Sequence, residues 1–421
     1  MIHNFKRSGR KLHDVWALIL FIIYVLGGIT ILTIYSDVTD YLLIAKNFDL
    51  GILIYCTGFI FFQFFSLMIA FLFFPGAIMH FGCLFLPIAS IIASFFSGSV
   101  ITICLTFLFS LISFALYFFY LKKQIKFAAV ICQKSTEIIS KNILLIVSYL
   151  TMCCSFFSIL FYFIFISLIN MKNQVFERHI ASFCIFLLIF WIFFNTLYSC
   201  RVLISSTIFL KFLSDTNSAV EAFGNLLYSL GSICFGGLLI AIITSLRVLV
   251  DRDRADREQS GSSTIFHAIL ICIFAMLEDL INYSNQWAFT YIALEGKSYI
   301  RSTKEAWQTL FEGRSYAFIN NYLAETILGV FSLFYMLFFF VGLFFLKESL
   351  FSNLKSIEKV ISLLYVLTVY SFACTLIYSL FEAGVKALSF TFALFPDQVK
   401  SKDQELADAF ERRKVEYTAR A

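Results

Sequence analysis

The sequence predicts an all-α polytopic membrane protein of about ten transmembrane helices, with one amphipathic helix on the inner face. Three observations carry this. Of 421 residues, 60% are hydrophobic and only 14% charged, whereas soluble domains carry roughly a quarter charged residues. Apolar runs of the length a helix needs to cross a bilayer, about 20 residues, recur along the chain. Only three prolines, Pro75, Pro87 and Pro396, stand in their way.

The runs place spans near 14–36, 51–74, 76–96, 100–121, 143–170, 180–206, 226–249, 264–284, 322–346 and 360–392. Run 16–35 is too long for the apolar core of a signal peptide, and no small-residue cleavage site follows it, so it reads as the first span. Pro75-Gly76 and Ser97-Gly98-Ser99 make tight seams. The last run exceeds a bilayer's thickness and must tilt or protrude. Lys/Arg bias sets the orientation. Residues 1–13, with Lys6, Arg7, Arg10 and Lys11 and no acid before Asp14, form a cytoplasmic N-tail. The transmembrane domain is 14–392, and 393–421 is a cytoplasmic C-tail. Segments 122–142 and 285–321 fall on the cytoplasmic side, and loops 37–50 and 250–263 on the other. The expected location is a multi-pass position in the plasma membrane, with an internal membrane as the alternative.

Two of the inner segments have pattern. In 122–142, Lys123, Lys126, Lys134, Glu137 and Lys141 share one helical face, and Ile125, Ala128, Cys132 and Ile139 another. That is a helix lying on the inner leaflet with its lysines toward anionic headgroups. It reads equally as a gating element or as a solvated connector. In 285–321, Ser302 and Glu305 form a capping box before a short helix that ends near Gly313. The mixed charge of KDQELADAFERRKVEY predicts a surface helix or a partly disordered tail.

Motifs of enzyme chemistry are weak. Gly296-Lys297-Ser298 lacks the earlier glycine of a phosphate loop, since position 291 is tyrosine. The five histidines are scattered, and the cysteines lie mostly inside apolar runs without metal-ligand spacing. No enzyme activity, cofactor or metal is expected, and no nucleic-acid partner. Ionisable residues within spans are costly and become functional candidates. Glu278 and Asp279, Glu325, and Glu382 with Lys386 are such residues. Glu382 and Lys386 stand at i,i+4, so a mutual ion pair is the plain reading. Glu278, Asp279 and Glu325 have Lys297, Arg301 or Arg314 as expected partners.

One run differs from the phenylalanine-rich rest. YSLGSICFGGLLIAIITSLRVLV, 228–250, carries Ser229, Gly231, Ser232, Gly236, Gly237, Ala241 and Ser245. Membrane helices use small residues where backbones approach closely, because lipid supplies no hydrophobic drive for helices to associate. Ser229, Gly231, Ser232, Gly236, Gly237 and Ala241 are therefore expected at helix-packing contacts.

This run and NQWAFTYIALEGKSYIRSTKEAWQTL, 285–310, resemble the choline-transporter-like family, most closely its fungal branch. Asn285, Ala288, Phe289, Gly296, Lys297, Ser298 and Lys304 sit where the family pattern expects them. Segment 122–140 also resembles the family's inner amphipathic segment. The resemblance implies ten spans, cytoplasmic termini and movement of choline or a related amino alcohol. Binding would then use aromatic faces and one polar group for the hydroxyl. The expected site residues are Trp191, Asn195, Tyr198 and Tyr228, with Ser232 as hydroxyl partner and Glu382 as counter-charge or proton carrier. Expected partners are membrane lipids and a small cationic solute such as choline. The alternative is a non-transporting membrane protein that organises lipids or partners through 122–142 and the charged tail.

Overall fold

The computed structural model describes residues 10–35, 50–95, 100–142, 144–153, 178–214, 219–259, 265–311, 321–350 and 356–418. The chain is an all-α polytopic membrane protein. In order, the helices are α1 (Val15–Tyr35), α2 (Leu50–Phe73), α3 (Pro75–Phe95), α4 (Val100–Leu116), α5 (Lys122–Ser140), α6 (Leu144–Cys153) and α7 (Arg178–Leu213). They continue as α8 (Ala219–Gln259), α9 (Ile265–Glu295), α10 (Tyr299–Phe311), α11 (Asn321–Leu350), α12 (Ser356–Leu394), α13 (Pro396–Lys402) and α14 (Gln404–Thr418). Among the described residues 8 helices are long and apolar enough to cross a membrane, or up to 9 if α5 and α6 count as one span. Val15–Thr30 is a shorter apolar helix. The loop at 37–49, most of the fifth span, and the expected stop at Gly313 lie outside the described residues. Phe119, Phe345 and Ile101 are among the many fully presented apolar side chains on the outside of these helices, as lipid-facing surface requires.

The chain divides into two compact units. The first comprises Met1–Asp49, Leu144–Leu210 and Thr216–Thr309; the second comprises Leu50–Ile143, Lys211–Asp215 and Leu310–Ala421.

In the second unit, α3 begins with Pro75, whose missing N–H costs nothing at a first helical position. Pro87 lies inside the same helix. Its carbonyl accepts the hydroxyls of Ser90 (2.9 Å) and Ser110 (3.2 Å), which joins α3 to α4. After α4 the chain makes one π-helical turn, Tyr117–Leu121, and runs on into α5. Tyr117 is buried there, and its hydroxyl lies 2.8 Å from His80 Nδ1 of α3. Gln63 of α2 is wholly buried, donating to the Tyr378 hydroxyl at 2.8 Å and accepting from Tyr370 at 2.9 Å. Tyr370 itself stacks on Phe339 at 3.9 Å. A buried amide in an apolar core needs such partners.

The apolar face expected of α5 is buried: Ile125, Ala128, Cys132 and Ile139 all pack inside, together with Ser135 and Thr136. It lies against α2, α3, α11, α12 and α14. Gly384 of α12 makes this possible, because a Cβ there would fall 1.8 Å from Ser135 Oγ. The expectation that the lysines all turn to headgroups needs correction. Lys122 and Lys126 are exposed, but Lys134 binds Asp403 at 3.2 Å and Glu405 at 2.9 Å in the tail. The tail is docked rather than loose. Val399, Leu406, Ala407 and Phe410 are buried, and Phe410 stacks on Phe392 at 4.2 Å and meets Phe127 edge-on at 4.9 Å. Asp403 Oδ1 caps α14 by accepting the Leu406 N–H at 3.1 Å.

Truncating a buried phenylalanine costs about 3–5 kcal/mol, more than an exposed ion pair returns. Phe410→Ala should therefore release α14, seen as faster limited proteolysis at exposed Arg412. Lys134→Ala should have a much smaller effect in the same assay.

Candidate functional site

The first unit is organised by α8 and what its small residues admit. A Cβ on Gly231 would fall 2.1 Å from the His13 carbonyl oxygen; one on Gly236 would fall 2.6 Å from Phe289 Cζ and 2.7 Å from Tyr299 Cε2; and one on Gly237 would fall 2.2 Å from Asn195 Oδ1. Each glycine thus opens α8 to a different neighbour: the N-terminal segment, the α9–α10 region and α7. Ser229, Ser232 and Ala241 are buried beside them. Ser229 back-bonds to the Asn225 carbonyl at 2.8 Å.

Four of the expected site residues lie on these contacts. Trp191 of α7 is buried and donates Nε1–H to the Cys234 carbonyl at 2.9 Å. Asn195, one turn on, is buried with Nδ2 facing Cys234 Sγ at 3.6 Å. Its Oδ1 has no hydrogen-bond partner among the described residues. Tyr198 is fully buried, stacks on Phe289 at 4.3 Å and accepts from Asn285 Nδ2 at 3.0 Å. Ser232 donates to Asp14 Oδ2 at 2.7 Å.

The other two are not part of this group. Tyr228 is 46% exposed. Glu382 belongs to the second unit, where it pairs with Lys386, and Lys386 also lies 2.8 Å from Glu325 Oε1. The lysine is wholly buried, and the two carboxylates give it the partners a buried ammonium needs.

Several residues that matter were not among the expected site residues. Asn285 is completely buried on α9, donating also to the Gly236 carbonyl at 3.3 Å and accepting from the Tyr299 hydroxyl. Its helix runs on to Glu295, so residues 285–295 continue the helix of the eighth span. Asp14 precedes α1 and adopts a positive φ of 54°, which aspartate tolerates better than most residues. Its Oδ2 also accepts the Tyr299 N–H at 2.9 Å, the first amide of α10. Arg10 completes the joint. Its NH2 donates to the carbonyls of Ala293 (2.7 Å) and Leu294 (3.1 Å) at the end of α9, with its stem across Gly296, whose φ is +65°. A cation at a helix C-terminus and an anion at a helix N-terminus are both favourable. Burial lowers the Arg10 pKa to about 10, offset in part by Glu295, so it stays charged at neutral pH.

The charges expected near the inner interface find other partners. Glu278 binds Arg247 at 2.7 Å and accepts the Thr244 hydroxyl at 3.0 Å, rather than pairing with Lys297 or Arg301. Those two bases hold Glu305, at 2.6 and 2.8 Å. Among the described residues no group of three or more histidine, cysteine or acidic side chains could hold a metal ion.

A polytopic helical membrane protein with a buried amide-and-aromatic cluster at a small-residue helix is the general class this arrangement defines. Comparison with known proteins narrows it. The family described as plasma-membrane choline transporter matches residues 104–396, well over half of the chain, and the chain belongs to that family. It is similar to Protein PNS1 of Saccharomyces cerevisiae, 43% identical over 111 residues, covering 25% of this chain and 21% of that protein. Protein PNS1 of Yarrowia lipolytica is 36% identical over 104 residues (24% and 18%), and that of Kluyveromyces lactis 39% over 116 residues (26% and 21%). The matched stretches span only about a fifth of the length of these curated relatives.

Overpacking a tight contact costs about 1–3 kcal/mol. Gly231→Ala should therefore lower the thermal midpoint of the purified protein by several degrees. Gly27→Ala, where a new methyl would meet nothing within 4 Å, should leave the midpoint unchanged or raise it slightly.

Proposed function

We propose that the protein carries choline or a related small amino alcohol across a membrane, acting at the plasma membrane with both termini in the cytoplasm. Family membership supports a transporter. The observation that favours this substrate class is the Asn195 carbonyl oxygen, buried without a partner among the described residues and close to Trp191 and Tyr198. An unmet buried acceptor costs about 1–3 kcal/mol, and a substrate hydroxyl would satisfy it. A quaternary ammonium has no hydrogen-bond donors and is held by ring faces. Tyr198, Phe289 and Tyr299 supply three neighbouring rings on the same contacts. Ser232, the first choice as hydroxyl partner, is the weaker one because its proton is committed to Asp14.

The rival reading, a non-transporting protein that organises anionic lipid, would rest on the exposed Lys122 and Lys126. Lys123 is the third lysine of that reading, and Lys134 of the same helix is taken by the tail.

Uptake of labelled choline and of ethanolamine into proteoliposomes tests the proposal. The wild-type protein should exceed empty vesicles for at least one of them. Asn195→Ala should raise KM roughly tenfold, the effect of about 1.4 kcal/mol from one lost hydrogen bond, with folding intact by thermal shift. Uptake equal to empty vesicles for both solutes sinks the proposal.

A further inference from the structure

Three acids of the first unit lie against basic side chains. Glu278 lies against Arg247, and Glu295 and Glu305 lie against Lys297. Asp14 is partly buried and accepts two hydrogen bonds, both on Oδ2, from Ser232 and the Tyr299 amide. Among the described residues no lysine, arginine or histidine nitrogen lies within ion-pair reach of its carboxylate. Arg10, four residues earlier, spends its NH2 on backbone carbonyls. The N-terminus of α10 brings about half an elementary charge to Asp14, less than a full carboxylate charge. A carboxylate only partly offset by its neighbours attracts a cationic ligand.

A file of aromatic rings begins two residues along the chain from Asp14. Trp16 meets Phe235 at 5.1 Å, Phe235 meets Tyr299 at 5.2 Å, Tyr299 meets Phe289 at 5.9 Å, and Phe289 stacks on Tyr198 at 4.3 Å. The file of rings thus runs from the residue two after Asp14 to the helix turn that carries the unpartnered Asn195 oxygen. A carboxylate at one end of a ring file suits a small organic cation, which ring faces and a negative charge attract together. A neutral alcohol of the same shape gains nothing from the charge.

We infer that Asp14 is a specificity-determining residue of this site, making it prefer a small organic cation to a neutral molecule of equal size. The inference rests on the reading of the first unit as a choline-class site. It adds a residue that lies outside the 104–396 family match.

The test is equilibrium binding to the full-length purified protein. The probes are choline and 3,3-dimethylbutan-1-ol, in which carbon replaces the charged nitrogen. Wild-type protein should bind choline roughly tenfold or more tighter than the alcohol. Asp14→Asn keeps an acceptor for Ser232 and the Tyr299 amide but loses the charge. It should weaken choline by about that factor and leave the alcohol unchanged, and Asp14→Glu should restore the preference. Ser232→Ala, which removes one donor and keeps the charge, should retain the preference. Equal loss of both probes in Asp14→Asn would make Asp14 only a fastener of the N-terminal segment, overturning the inference. So would a wild-type protein that binds both probes equally, a result independent of any variant's folding. A wild-type protein that binds neither choline nor ethanolamine overturns the choline-class reading, and this inference with it.

Discussion

Close backbone approach to α8 is the constraint on which the first unit depends. Lipid tails are as apolar as leucine, so burying leucine between helices gains little in a membrane. Association has to come from dispersion contacts at short range and from hydrogen bonds. Gly231, Gly236 and Gly237 provide the short range, each toward a different neighbour. The hydrogen bonds then fall on the same helix. Cys234 and Gly236 offer carbonyls to Trp191 and Asn285, and Ser232 offers its hydroxyl to Asp14. Any side chain larger than hydrogen at the three glycines would separate donors from acceptors as well as surfaces.

The second constraint is that polar groups inside helices must find partners within the protein. The N-terminal segment meets it from outside the helices. Arg10 satisfies carbonyls that α9 leaves open at its end, and Asp14 satisfies an amide that α10 leaves open at its start. One short segment thereby fixes the turn at Gly296. The second unit also meets this constraint between side chains. Gln63 is held between two tyrosines, and Lys386 between two glutamates.

Much of this was legible in the sequence. The apolar runs mark the helices, since a spanning segment must satisfy its own backbone and be apolar outside. The i,i+4 spacing marks the Glu382–Lys386 pair, and the period of α5 marks the face that is buried. What escaped reading depends on partners far away in the chain. Asn285-Gln286-Trp287 looks like the end of a span because its polarity breaks the hydropathy. The helix continues because Tyr198, Tyr299 and the Gly236 carbonyl satisfy Asn285. Tyr228 shares a helical face with Ser232 at i,i+4, yet it stays exposed while Leu226 and Ser229 beside it are buried. The tail reads as a surface helix or a partly disordered tail, but Val399, Leu406, Ala407 and Phe410 dock. Asp14 gave no signal at all, being one acid at the edge of a basic tail.

The account stands on the N-terminal segment being seated against α8. Cysteine cross-linking in native membranes measures that directly, using Asp14→Cys with Ser232→Cys in a chain whose native cysteines are replaced. The side chains now meet at 2.7 Å, and a disulfide requires Cα atoms within about 7 Å. The account predicts rapid, near-complete cross-linking under mild oxidation, as for the Thr244→Cys with Glu278→Cys pair between α8 and α9. Efficient cross-linking of that control pair with none between positions 14 and 232 would contradict it.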